Sequence, residues 1–329
     1  MAKGIGRRVQ VGFAKETSRG TAESAAEYWL PWAELSVDDK DERVQLNQSY
    51  GVIEESLGEE IVKQWAELTL GGPVSDTTLG LLLLAVFGGL SSDANADASG
   101  NVYDHTYSVG QSAQHQALSL FVDDPLGGQD YKHALGMIDT FELTYERGEY
   151  IRFNAGLRAL KGETATLTPS TTAENRFRPQ DLTFKVASAK SGLTGASAVV
   201  IKSATITIEK NLEDDDVLGN VAPVDFLNKQ FMISGTIEAM WQNESDFKTA
   251  SLAGTDKALR FDLVDSNTTI GTAANPQLRI DLAKVNFRPV TRAIALDDMI
   301  MQTVEFKAHY STADTEMVEA ILTNLVTSY

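Results

Sequence analysis

Apolar and polar residues alternate one for one along much of this chain. The pattern is clear at Leu35-Ser36-Val37, Phe141-Glu142-Leu143-Thr144-Tyr145 and Ile151-Arg152-Phe153-Asn154-Ala155-Gly156-Leu157. It returns at Ala204-Thr205-Ile206-Thr207-Ile208 and Val304-Glu305-Phe306-Lys307-Ala308. A period of two predicts antiparallel strands with one face on a core and the other polar. Phe141, Leu143, Tyr145, Ile151, Phe153, Leu157, Ile206, Ile208, Val285, Phe287, Val304 and Phe306 are the predicted core positions. Arg147-Gly148-Glu149, between two such runs, predicts a hairpin turn.

Helical signals are few. Ser75-Asp76 can cap a helix through Leu79-Gly80-Leu81-Leu82-Leu83-Leu84-Ala85-Val86-Phe87 that stops at Gly88-Gly89. A shorter helix is predicted after Asn243-Glu244-Ser245, through Phe247 and Leu252, stopping at Gly254. Residues 315–325 fit a helix or a strand equally. Residues 91–100 and 162–175 read as loops, the second as a linker.

The order of elements repeats. Residues 13–21 resemble 186–194, and Glu34-Leu35-Ser36-Val37-Asp38 falls on Thr205-Ile206-Thr207-Ile208-Glu209. Polar, acidic loops follow at 41–60 and 211–230. Ala66-Glu67-Leu68 then matches Ile237-Glu238-Ala239, each ahead of a helix. Residues 118–122 match 259–263, Ile138-Asp139 matches Ile280-Asp281, and Phe141, Leu143 and Tyr145 fall on Ala283, Val285 and Phe287. Arg152-Phe153-Asn154-Ala155 matches Glu305-Phe306-Lys307-Ala308. The expected architecture is mainly β, with two tandem domains at 1–165 and 166–329.

Composition limits the chemistry. The 329 residues carry 46 Asp plus Glu against 28 Lys plus Arg, a net charge of −18. Tight duplex binding works by cationic side chains displacing counterions from phosphates, so this balance argues against it. With no cysteine there is no disulfide or thiol nucleophile, and four histidines make a dense metal site improbable. The basic start lacks an apolar run of the secretory kind. The most apolar stretch, 79–90, is about 12 residues long where a membrane span needs about 20, so no membrane insertion is expected.

No catalytic arrangement emerges. The run Glu213-Asp214-Asp215-Asp216 lacks the spacing of a calcium loop and reads as a solvated loop. His105 and His115 read as loop or strand-surface residues, and Asp123-Asp124 ahead of Pro125 reads as a turn. Gly4-Ile5-Gly6 is not a phosphate loop, and neither a nucleophile elbow nor a dinucleotide fingerprint is present. No catalytic residue, cofactor or metal is expected.

Several longer strings are specific. Val224-Asp225-Phe226-Leu227-Asn228-Lys229-Gln230 ahead of Gly235-Thr236-Ile237-Glu238-Ala239 resembles the major tail tube proteins of long-tailed bacteriophages. So do residues 274–285, the ending 320–329, and the opening 12–21 followed by Tyr28-Trp29-Leu30-Pro31. The resemblance covers essentially the whole chain. It implies β-sandwich tube domains, each with a short flanking helix, whose inner strands join into a ring-wide barrel. Rings of six such domains stack around a tape-measure protein and later pass the genome. Fused relatives build the ring from three chains with pseudo-sixfold symmetry, and the repeat points to that variant. About 24 strands spaced about 4.8 Å apart and tilted about 45° give a backbone diameter of about 50 Å and a bore near 40 Å.

The resemblance also implies partners: other copies of the chain, the tape-measure protein, tail terminator and tail-tip proteins, and genomic DNA in transit. The site is then the virion, with assembly in the host cytoplasm. Strand alternation makes Glu67, Glu142, Thr144, Glu146, Glu238, Glu305 and Lys307 the channel-lining candidates. Val44, Leu46, Tyr50, Val52 and Ile53, with Val217, Leu218, Val221 and Phe226, are the candidates for ring stacking. A β-sandwich binding or adhesin module, and the tube of a contractile injection machine, are the alternative readings.

Overall fold

Strands dominate the computed structural model, which describes residues 3–126, 128–241, 247–294, 296 and 299–329. The first half contains β1 (Gln10–Lys15), β2 (Tyr28–Leu30), β3 (Glu34–Gln45), β4 (Glu59–Pro73), α1 (Leu79–Phe87), β5 (Gly88–Ala94), β6 (Tyr103–Val109), β7 (Leu118–Asp123), β8 (Asp130–Glu146), β9 (Arg152–Ala159) and β10 (Glu163–Ala165). The second contains β11 (Leu182–Ala187), β12 (Ser203–Glu209), β13 (Leu212–Asp215), β14 (Asp225–Asn228), β15 (Met232–Met240), α2 (Lys248–Ala253), β16 (Lys257–Val264), β17 (Gln277–Phe287), β18 (Thr291–Ala293), β19 (Met301–His309) and β20 (Val318–Asn324).

The pairing circuit is the same in both halves. In the first, β1 pairs with β7, β7 with β8, β8 with β9, β9 with β4 and β4 with β3. In the second, β11 pairs with β16, β16 with β17, β17 with β19, β19 with β15 and β15 with β12. All of these pairs are antiparallel. The long strands β8 and β17 each serve both layers, one end pairing with β7 or β16 and the other with β9 or β19. The residue match is shifted along β17. Leu143 faces Phe153 and Phe141 faces Ala155, whereas Phe287 faces Phe306 and Val285 faces Ala308. Against that pairing Leu143 corresponds to Phe287, two positions from the sequence alignment. Two is the strand period, so the face is unchanged.

The halves are joined by sheet, not by the linker alone. Ser203–Glu209 of β12 pairs with residues 146–140 of β8, and β20 pairs with β6. One apolar cluster runs through both halves. All twelve core positions expected from alternation are buried within it. Residues 162–175 contain the short strand β10, and Asn175 is held by Asp76 at 2.7 Å, so this segment is docked along the first half.

Helix α1 starts one turn later than its predicted cap. Thr78 occupies the N-cap without a side-chain cap bond, Ser75 Oγ lies 2.9 Å from Thr78 Oγ1, and Asp76 instead accepts from Asn175. Its end is as expected: Gly88 is left-handed at φ 81°, a conformation that costs glycine little. Every residue of α1 is buried, which suits a helix apolar on all sides. Helix α2 ends at Gly254 in the same way (φ 62°), while its predicted start at Asn243-Glu244-Ser245 lies outside the described residues. Residues 91–94 belong to β5, and the ambiguous C-terminal segment is the strand β20.

A buried lysine secures α1 to the second half. Lys210 Nζ donates to the Ala85 carbonyl at 2.8 Å, at the end of α1 where the helix dipole favours a cation. Burial nevertheless lowers its pKa to about 7, against the attraction of Asp139. The unfolded chain keeps this proton up to about pH 10.5, so between pH 7 and 10.5 it binds more protons than the folded chain. Stability should therefore rise with pH in that window, by up to about 1.4 kcal/mol per pH unit. Urea titrations at pH 7, 8 and 9 should show this rise, and Lys210→Met should flatten it.

Candidate functional site

Eight strands form one continuous surface, ordered β3, β4, β9, β8, β12, β15, β19 and β17. Alternation sends Phe153, Leu143 and Ile206 to the core side and their neighbours to the opposite side. The seven lining candidates all lie on that polar face. Register makes this explicit. Glu67 opposes Arg158, Thr144 opposes Thr205, Glu146 opposes Ser203, Ser203 opposes Glu238, Glu305 opposes Thr236, and Lys307 opposes Ser234. Glu142 opposes both Asn154 and Thr207.

Hydroxyls and an indole hold three of these acids in place. Glu142 accepts from Thr207 at 3.3 Å and Thr144 at 3.4 Å, and Glu238 accepts from Ser203 at 3.1 Å. Glu67 accepts from the Trp65 indole at 3.1 Å. The same face carries residues that the sequence reading left out: Glu34, Asp38, Arg152, Asn154, Arg158 and Glu209. The signal was present, since the alternation that buries Phe153 must turn Arg152 and Asn154 the other way.

Two arginines add positive charge to this face beside Lys307. Each is engaged within the chain. Arg152 contacts Glu149 at 3.0 Å and Glu34 at 3.7 Å, while Arg158 contacts Asp214 at 2.8 Å and Asp139 at 3.9 Å. Acidic residues still predominate on the face. Three acids of the run 213–216 are likewise committed to ion pairs. Asp214 and Asp216 lie 2.7 and 2.6 Å from Lys63 Nζ, and Glu213 lies 3.2 Å from Lys229. Burial pushes the Asp214 carboxyl up, but bonds from Lys63 and Arg158 more than offset it and leave its pKa lowered.

The stacking candidates divide. Strands β3 and β4 extend past β9 as a two-stranded hairpin, shortening the predicted loop to residues 46–58. Val44, on β3, and Leu46, Tyr50, Val52 and Ile53 are exposed on this projection. Val217, Leu218 and Val221 are exposed on the β13–β14 connection, which leans on β4 through a bond from Gln64 N–H to the Val221 carbonyl. Phe226 is a correction. It is fully buried with Leu212, Leu135 and Met137, because β13 and β14 pair and turn it inward, so it offers no surface contact. Neighbouring Asp225 anchors the same corner by accepting from Arg19 and Gln114.

The histidines are a second correction. His105 and His115 are buried, not on the surface. His105 bonds Ser92 and the Val326 carbonyl, and His115 faces the carbonyls of Val86 and Gly110, each at 3.0 Å. Among the described residues no group of three or more His, Asp or Glu is placed to hold a metal, and no helix is long and apolar enough to cross a membrane.

Residues 6–308 match the family model described as phage tail tube protein. The chain therefore belongs to the phage tail tube protein family, a family of structural virion components that self-assemble into a tube. No curated protein sequence matches it.

Proposed function

We propose that this chain is the major tail tube protein of a long-tailed phage with a non-contractile tail, and that it forms stacked rings of three chains with pseudo-sixfold symmetry. The observation that carries this reading is the seam between the halves. There, β8 of one pairing circuit meets β12 of the next in a seven-residue antiparallel register. The equivalents of β8 and β12 at the ends of the sheet are β17 and β3. Among the described residues β3 pairs with β4 alone, which leaves a twelve-residue edge open. An open edge of this length is a template for another chain. Joining β17 of one chain to β3 of the next repeats the internal seam, and three chains then supply about 24 strands, enough for a bore near 40 Å.

In this reading the polar face lines the bore. Its carboxylates repel phosphate, and its arginines are already occupied by acids of the same chain, so DNA passes without being held. A tape-measure protein occupies the bore before the genome, and terminator and tip proteins close the ends. Assembly takes place in the host cytoplasm and the product resides in the virion.

Imaging the purified protein by negative stain and cryo-microscopy should give tubes with three chains per ring. Six chains per ring, or monomers under every condition, would overturn the arrangement. Replacing Glu142, Glu146 and Glu305 together by Lys should leave tubes intact but reduce genome ejection, measured as infectivity of complemented phage; unchanged infectivity would show that the wall charge is unimportant. Deleting residues 47–55 should leave a folded subunit that no longer polymerises, checked by circular dichroism and microscopy.

A further inference from the structure

The projecting hairpin and a cleft of about 740 Å³ lie at opposite ends of the eight-strand sheet. Residue Pro73 of β4 pairs with Arg152, next to the β8–β9 turn, whereas Glu59 at the other end of β4 pairs with Gln45 beside the hairpin tip. The cleft sits at the turn end, where Arg147 and Tyr150 of the β8–β9 turn meet Leu182, Val200 and Lys202 of the second half. Tyr150 and Val200 are 50% and 71% exposed. The side chains of Arg147 and Lys202 have no ion-pair partner among the described residues.

The tip has the complementary chemistry. Val52 and Ile53 are 60% and 102% exposed, and Glu54-Glu55 follows directly. Glu146 and Glu149 also line the cleft, but Glu149 is held by Arg152. Among the described residues the two unpaired cations, Arg147 and Lys202, thus outnumber the one unpaired acid, and an apolar pair with two acids attached suits this lining. The hairpin cannot fold back into the cleft of its own chain, because the whole sheet separates them. From Glu59 to Ala66 it projects beyond β9 by about 23 Å, as far as β4 runs alongside β9. That reach suits a neighbour stacked on the same axis. A contact between two different surfaces of identical chains is heterologous and propagates without closing.

We infer that this cleft receives the 46–58 hairpin of a second copy of the chain in the adjacent ring. The inference rests on the tube reading and names the surface that reading leaves open.

Two experiments test it on the full chain, which contains no cysteine. A chain carrying both Ile53→Cys and Val200→Cys, assembled and then oxidised, should give a ladder of covalent oligomers extending past the dimer on a non-reducing gel. Neither single variant should give the ladder. The double charge reversal Arg147→Glu with Lys202→Glu should keep the wild-type melting temperature but lose tubes, and adding Glu54→Lys with Glu55→Lys should restore them. If wild-type chains form tubes but the double-cysteine chain gives no ladder, or the reversed chain forms tubes as well as wild type, the cleft is not the receptor and the tube reading stands. If wild-type chains form no tubes at all, the tube reading falls and this inference with it.

Discussion

The rest of the structure depends on the need of backbone N–H and C=O groups for partners. Within each half the circuit of antiparallel pairs satisfies them strand by strand, but a twisted open sheet always ends in an edge. The first half resolves its edge at β8 by taking β12 of the second half as the next strand. This junction, with the β20–β6 pairing, joins the two halves, places both polar faces in one surface and runs one core beneath them. Among the described residues it leaves the far side of β3 without a strand partner.

The core and the polar face are two consequences of the same alternation. Phe141, Leu143 and Phe153 are buried because Glu142, Asn154 and Thr144 are not. The apolar side supplies stability, and the polar side is free of that demand. Ion pairs are used sparingly there. Arg152 and Arg158 are each tied to acids of the same chain, so their charge is present without being offered.

The two halves differ where they meet solvent. Helix α1 is sealed by the second half, with Lys210 at its C-terminal end, and the β5–β6 hairpin that follows it pairs across to β20. Helix α2 occupies the corresponding place in the second circuit, yet Leu252 on it is exposed. The contrast is one of position: α1 lies against a neighbouring half that the chain itself provides, and α2 lies at the end of the chain's own sheet.

Alternation over five to seven residues was enough to read the strand class, the buried face, the turn at Arg147-Gly148-Glu149 and the side on which Glu67, Glu142, Glu238 and Glu305 lie, because strand geometry fixes the face of every second residue. The repeated order of elements was legible for the same reason, although strand period alone could not fix the match along β17 to better than two residues. Other features needed the folded chain. Phe226 looked like a loop residue until β13 and β14 paired, and His105 and His115 looked superficial until β6 and the end of α1 were covered. Which end of the sheet carries the hairpin and which the cleft is set by register between β4 and β9, whose paired residues are 79 to 93 positions apart. No local pattern encodes that separation; only tertiary pairing decides it.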